Sequence, residues 1–293
     1  MDRKKFLGLS ALGMTGLTGI AGGLSALSKL NQQLGEQDYT LPVLFVGHGS
    51  PMNAIEDNTF SRSWREMGKK LPRPKAILCI SAHWETKGTF VTASPHPETI
   101  HDFYGFPKPL FDVQYPAPGD PLMAELIQKE SEAVKIGLDH EWGFDHGCWS
   151  IIMHMFPEAE IPVLQLSLDY SQAPAYHYAL ARELKQLRKK GVLILGSGNI
   201  VHNLRMIDFH NTKGFDWAIA ANEEIKQLIS KGNDKALTQY SSLSREAQMG
   251  IPTPEHYLPL LYVLGMRDEK ENPQFFNDQT VAGSIAMTSV RFG

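Results

Sequence analysis

The chain has 293 residues, with 28 Lys+Arg against 32 Asp+Glu for a net charge of −4 and 42% hydrophobic residues, so a buried core is within reach and general disorder is excluded. No basic tract occurs, which argues against a phosphate-backbone binder and so against nucleic acid as a partner. Two cysteines, Cys79 and Cys148, exclude a disulfide-stapled scaffold and a multi-cysteine zinc site, and the 11 histidines are the unusual feature.

In chain order, residues 1–30 read as an export signal or an uncleaved membrane anchor. Arg3-Lys4-Lys5 precedes Phe6-Leu7 and a weakly apolar, glycine-rich run to Leu27. The order is similar to a twin-arginine leader with Lys4 in place of the second arginine, and a Sec-type leader is the other route. Either implies an exported, periplasmic location, with a membrane partner only if the segment stays attached. No later run approaches the ~18 consecutive apolar residues that a bilayer crossing needs. Residues 38–293 then read as one domain. Strands are expected at Leu41–Val46, Ala76–Ser81, Ile161–Ser167 and Val192–Leu195, four β-branched-rich runs bounded by Gly and Pro. Helices are expected at Phe60–Leu71, Pro121–Ile136, Ala173–Lys190, Trp217–Lys231 and Asp234–Ser244. This alternation implies an α/β sandwich with a central mixed or parallel sheet flanked by helices. Between them, Thr92–Pro118 crowds prolines among Phe103, Tyr104, Phe106, Phe111 and Tyr115, and reads as an ordered loop over a pocket.

Ligands of open α/β sheets collect beyond the carboxyl ends of the strands. Gly47-His48-Gly49 follows the first run, Ala82-His83-Trp84 the second, and Gly196-Ser197-Gly198-Asn199 with Val201-His202-Asn203 the fourth. One histidine after a strand is ordinarily a structural residue. Three at neighbouring strand ends point to a divalent metal ion, because neutral imidazole is a good donor to Zn²⁺ or Fe²⁺. His256, in Pro252-Thr253-Pro254-Glu255-His256-Tyr257, is a fourth candidate, expected in the first turn of a helix capped by Thr253, with Glu255 as an alternative ligand. His146, in Asp145-His146-Gly147, sits at an expected loop-to-helix junction, and His101 is a weaker substrate contact. No nucleophile elbow, Walker lysine, G-x-G-x-x-G or H-E-x-x-H is present.

These blocks, with His96-Pro97-Glu98-Thr99-Ile100-His101-Asp102-Phe103-Tyr104-Gly105-Phe106-Pro107, resemble the DOPA 4,5-dioxygenase-type branch of the class III extradiol ring-cleaving dioxygenases, in the same order over about residues 41–265. The resemblance implies one divalent ion per chain, Zn²⁺ or Fe²⁺, held by His48, His83 and His256. It makes His202 either a further ligand or the acid/base beside the metal, and places His146 in the substrate pocket as another proton acceptor. The implied partners are a catechol-type aromatic and O₂. Two alternatives stay open on the residues alone: a zinc hydrolase and a non-catalytic metal-containing binding protein.

Overall fold

Short β-branched runs bury both faces only in the middle of a layered sheet, and that is where these lie. The computed structural model describes Gly35 and residues 38–293, so the leader-like segment 1–30 falls outside the described residues. Strands Val163–Gln165, Ala76–Ser81, Val192–Gly198, Val43–Gly47, Ser289–Phe292 and Gln274–Phe276 form one six-stranded sheet in that spatial order. The first four pair in parallel, and the last two are added by antiparallel pairings. The sheet is therefore mixed, as expected.

Alternate residues of a strand point to opposite faces, and the core divides accordingly. Leu44, Val46, Ile77, Cys79, Leu193 and Leu195 pack with Trp64, Trp149, Ile152 and Met155, which come from helices Thr59–Lys70 and His146–Met155. Val43, Phe45, Leu78, Ile80, Val192 and Ile194 pack on the other side with helices Pro174–Leu184, Asp216–Ser230 and Leu258–Met266. The Thr59–Lys70 helix starts where Asn58 and Ser61 cap each other reciprocally. Among the described residues no helix is long and apolar enough to cross a membrane.

Several expected elements end early. The helix expected to reach Ile136 stops at Glu130, because Ile136–Asp139 is instead a strand paired with Thr89–Thr92. The Ile161–Ser167 run breaks after Gln165, where the chain changes partners: Ser167 N–H donates to Phe90 O and Leu168 N–H to Trp84 O. Asp234–Ser244 divides into helix Asp234–Thr238 and a 3₁₀ turn at Tyr240–Ser242.

On the Pro174–Leu184 helix, His177 is fully buried, with Nδ1 3.1 Å from the Tyr262 hydroxyl. Burial lowers its pKa from the ordinary 6.5 to about 4, against the opposing pull of Asp169. The unfolded chain therefore takes up this proton at a higher pH than the folded protein does. The stability tied to neutral His177 is complete above pH ~6.5 and drains as pH falls toward the folded value, by about 3 kcal/mol in all. His177→Gln, which keeps a hydrogen-bonding group but does not titrate, is expected to flatten this part of the pH dependence of urea unfolding. An unchanged slope between pH 6.5 and 4 would contradict that.

Candidate metal centre

The three central parallel strands end level with one another, Gly47 opposite Gly198 and Ser81 opposite Ser197. His48 follows the first strand directly, and its N–H donates to Gly198 O at 3.1 Å. His83 lies two residues beyond the second strand. His202 lies in the loop after the third, with its N–H donating to Gly250 O at 2.8 Å. The turn carrying His256 rests on the end of the central strand, where Asn199 N–H donates to His256 O at 2.9 Å. A Cβ on Gly198 would stand 2.2 Å from that carbonyl, so only glycine lets the turn come so close. The expected position of His256 needs correction: the helix is Leu258–Met266, and His256 sits in the turn before it. Thr253 does not cap that helix, because its hydroxyl donates to Glu255 Oε1 at 2.8 Å.

Asp145 caps helix His146–Met155 by accepting from Cys148 N–H, and its carboxylate also accepts from Ser81 Oγ at 2.6 Å and Gln165 Nε2 at 2.6 Å. These bonds fasten the helix to two strands and set His146 at its first position. Gly147 comes so near the sheet that a Cβ there would lie 2.5 Å from Ser81 Oγ and 2.8 Å from the His83 ring.

The histidines singled out in the sequence converge. Ring centroids of His48, His83 and His256 form a nearly equilateral triangle with sides of 5.0, 5.2 and 5.1 Å. One ligand nitrogen from each lies within 4.8 Å of the other two, the spacing of a group that could hold a metal ion. The Nε2 atoms of His48 and His83 are 3.2 Å apart. His146 stands beside His83 at 3.9 Å between centroids, and His202 stacks on His256 at 3.5 Å and 11°.

Burial is the leading cause of the electrostatic state. It drives His48 and His256 well below the ordinary 6.5, with the neighbouring imidazoles adding to the effect. It takes His83 to about 3 and His202 to about 4. Several cations cannot share so small a space, so the rings are neutral and carry lone pairs. Glu255 Oε1 lies 3.1 Å from His256 Nδ1, which holds the ring proton there and leaves Nε2 bare. An all-imidazole trio of this kind fits a borderline divalent ion such as Zn²⁺ or Fe²⁺.

Two site residues escaped the sequence reading as functional. Asp102, from the Pro/aromatic loop, accepts at Oδ1 from His146 N–H at 2.8 Å and at Oδ2 from His146 Nδ1 at 2.9 Å. The same Oδ2 lies 3.5 Å from His83 Nδ1. Burial opposes its charge, but the bond from His146 holds the carboxyl below its ordinary value. Ser197, at the end of the central strand, meets His48 Nδ1 at 2.9 Å. Phe103 brings the same loop against His146, 5.6 Å between centroids, and packs on Phe106, Phe111 and Trp149. His101 belongs to this aromatic wall, bonded through Nε2 to Val113 O at 3.0 Å.

Residues 42–293 match the family described as the catalytic LigB subunit of aromatic ring-opening dioxygenase. A protein of Escherichia coli (strain K12) named 4,5-DOPA dioxygenase extradiol is 46% identical over 257 residues, covering 86% of this chain and 95% of its own. One of the same name from Beta vulgaris is 35% identical over 268 residues, covering 88% and 99%. The crystal structure of an uncharacterized protein from Escherichia coli K12 superposes with a TM-score of 0.76 at 41% identity, covering 86% of this chain and all of the other.

Proposed function

We infer the substrate and the cofactor from a family premise: the chain belongs to the LigB family of aromatic ring-opening dioxygenases and is an extradiol dioxygenase. We propose that it opens the ring of a catechol-type, DOPA-like aromatic with O₂, beside one of the two hydroxyls, using a divalent ion held by His48, His83 and His256. The relatives' names support the substrate class. The observation that carries the site is the triangle of neutral imidazoles at the strand ends. Membership in this family displaces the hydrolase and binding-module readings.

When bound, the ion would lower the pKa of the catechol hydroxyls and, as Fe²⁺, pass electrons between ring and O₂, which redox-inert Zn²⁺ cannot do. The chain's own residues do the rest. His146 Nδ1–H donates a hydrogen bond to Asp102 Oδ2, which points Nε2 away from that bond as the atom to accept a phenolic proton and return it later. Phe103 and its aromatic neighbours present an apolar wall beside His146 for the substrate ring, and His48, His146 and His256 are buried.

Of the two roles open to His202, stacking favours the acid/base. An imidazole lone pair lies in the ring plane, and with the His202 and His256 rings stacked at 11° and 3.5 Å between centroids a shared ion would sit out of the plane of at least one of them, even though ligand atoms of His202, Glu255 and His256 lie within 4.8 Å of one another. His202→Ala is expected to bind the ion within a few-fold of wild type while kcat falls by ~10²–10⁴. Metal analysis beside kinetics checks this, and loss of the ion together with activity would instead make His202 a ligand.

The functional test is anaerobic loading with Fe²⁺, then a catechol panel that includes DOPA, then air. Oxygen uptake and a yellow ring-opened product are expected, with none from Zn²⁺-loaded protein. No uptake across the panel would overturn the proposal. The leader-like segment supports an exported location as a further proposal, checked by fractionation of cells expressing the full chain.

A further inference from the structure

We propose that Ser197 is a positioning residue: its hydroxyl fixes the tautomer of His48 so that Nε2 faces the ion as a bare lone pair. The proposal rests on His48 being a ligand, as above.

The argument is a proton count. A serine hydroxyl has one proton and can give it to one partner. Ser197 Oγ lies 2.5 Å from Gly147 O, a carbonyl with no proton of its own, so the hydroxyl proton goes there. Toward His48 Nδ1, 2.9 Å away, Ser197 Oγ is left only as an acceptor. Nδ1 therefore carries the ring proton of neutral His48, and Nε2 carries none. That Nε2 is the atom 3.2 Å from His83 Nε2. The opposite tautomer would turn Nε2 into an N–H aimed at the place of the ion, and would set two lone pairs facing at Nδ1.

Placement makes the device rigid. Ser197 sits on the central strand in register with Ser81 on one side and Val46 on the other, wholly buried. Its backbone carbonyl accepts from Ala82 N–H at 3.0 Å. Gly147 O is the carbonyl of the residue after His146, so one hydroxyl ties the ligand His48 to the helix start that carries the proton acceptor. Removing the hydroxyl frees the His48 ring to adopt either tautomer and loosens that helix start.

The test compares Ser197→Ala, Ser197→Thr and His48→Ala with wild type by competition for Zn²⁺ against a chromophoric chelator, by the Co²⁺ d–d spectrum and by thermal unfolding of the metal-free protein. Ser197→Ala is expected to weaken Zn²⁺ binding ~10–100-fold, the range for partners of metal-bound histidines, and to alter the Co²⁺ spectrum. Ser197→Thr, which keeps a hydroxyl, is expected to restore both. His48→Ala is expected to lose the ion, and retention there would refute the ligand assignment instead. Wild-type affinity and spectrum in a folded Ser197→Ala protein, beside metal loss in His48→Ala, would overturn the Ser197 proposal alone. A readout that needs no Ser197 variant is ¹⁵N-labelled imidazole NMR of metal-free wild type, with the His48 signals assigned by their loss in His48→Ala. His48 is expected to show a protonated Nδ1 and a bare Nε2, and a protonated Nε2 would also overturn the proposal.

Discussion

Replacing His83 with Ala is expected to leave a folded protein without its metal ion and without dioxygenase activity. His83 supplies one corner of the imidazole triangle, with centroids 5.0 Å from His48 and 5.1 Å from His256. It follows the strand end in a turn, and its side chain is not part of either apolar core. Loss of the ring therefore removes a donor without opening a hydrophobic cavity. Two imidazoles would remain, and metal affinity is expected to fall by more than the ~10–100-fold that loss of a ligand's outer hydrogen-bond partner typically costs. Elemental analysis after dialysis, with circular dichroism to show the fold, checks this. A His83→Ala protein that keeps one ion per chain would remove His83 from the site.

Asp102→Asn is expected to lower kcat by ~10²–10⁴ while the ion stays bound. The carboxylate accepts two bonds from His146, one from its backbone N–H at Oδ1 and one from its ring Nδ1 at Oδ2. An asparagine has only one oxygen to offer. If that oxygen meets the backbone N–H, the amide NH₂ faces Nδ1 and drives the ring proton to Nε2, which destroys the base. If the amide turns over, its NH₂ confronts the backbone N–H and the helix start is pushed away. Either arrangement spoils proton transfer through His146. The contact of Asp102 with His83 is longer, 3.5 Å, so metal binding is expected to weaken by no more than ~10–100-fold. Wild-type kcat in the metal-loaded variant would show that His146 needs no fixed tautomer.

The legible part of the site was the part that strand topology places. His48 and His83 follow their apolar runs by two residues and His202 follows its run by seven, so knowing that the runs are parallel strands is enough to bring their ends together. Asp102 lies in a motif whose sequence alone assigns it no role. It reaches His146 only because a loop of prolines and aromatics folds Phe103 against the same ring, and no periodicity describes such a path. Ser197 looked like part of a glycine-rich turn. Its role depends on which way a strand residue points and on a carbonyl of Gly147, fifty positions earlier in the chain. The fold was legible for the same reason as the histidines, since buried parallel strands are continuous apolar runs. Strands Gln274–Phe276 and Ser289–Phe292 were missed because each is short and mixes polar residues with apolar ones at the antiparallel side of the sheet. Thr-Pro-Glu has the grammar of a helix start and so predicts a helix around His256, but the helix begins at Leu258, two residues after it.

X-ray absorption at the metal edge, on protein reconstituted with one equivalent of Zn²⁺ or Fe²⁺, examines the convergence of these imidazoles directly. The account predicts a nitrogen/oxygen shell at about 2.0–2.2 Å with the outer-ring scattering of three imidazoles, lost in part when any one of His48, His83 or His256 is replaced. A sulfur shell, or an all-oxygen shell without imidazole scattering, would contradict it.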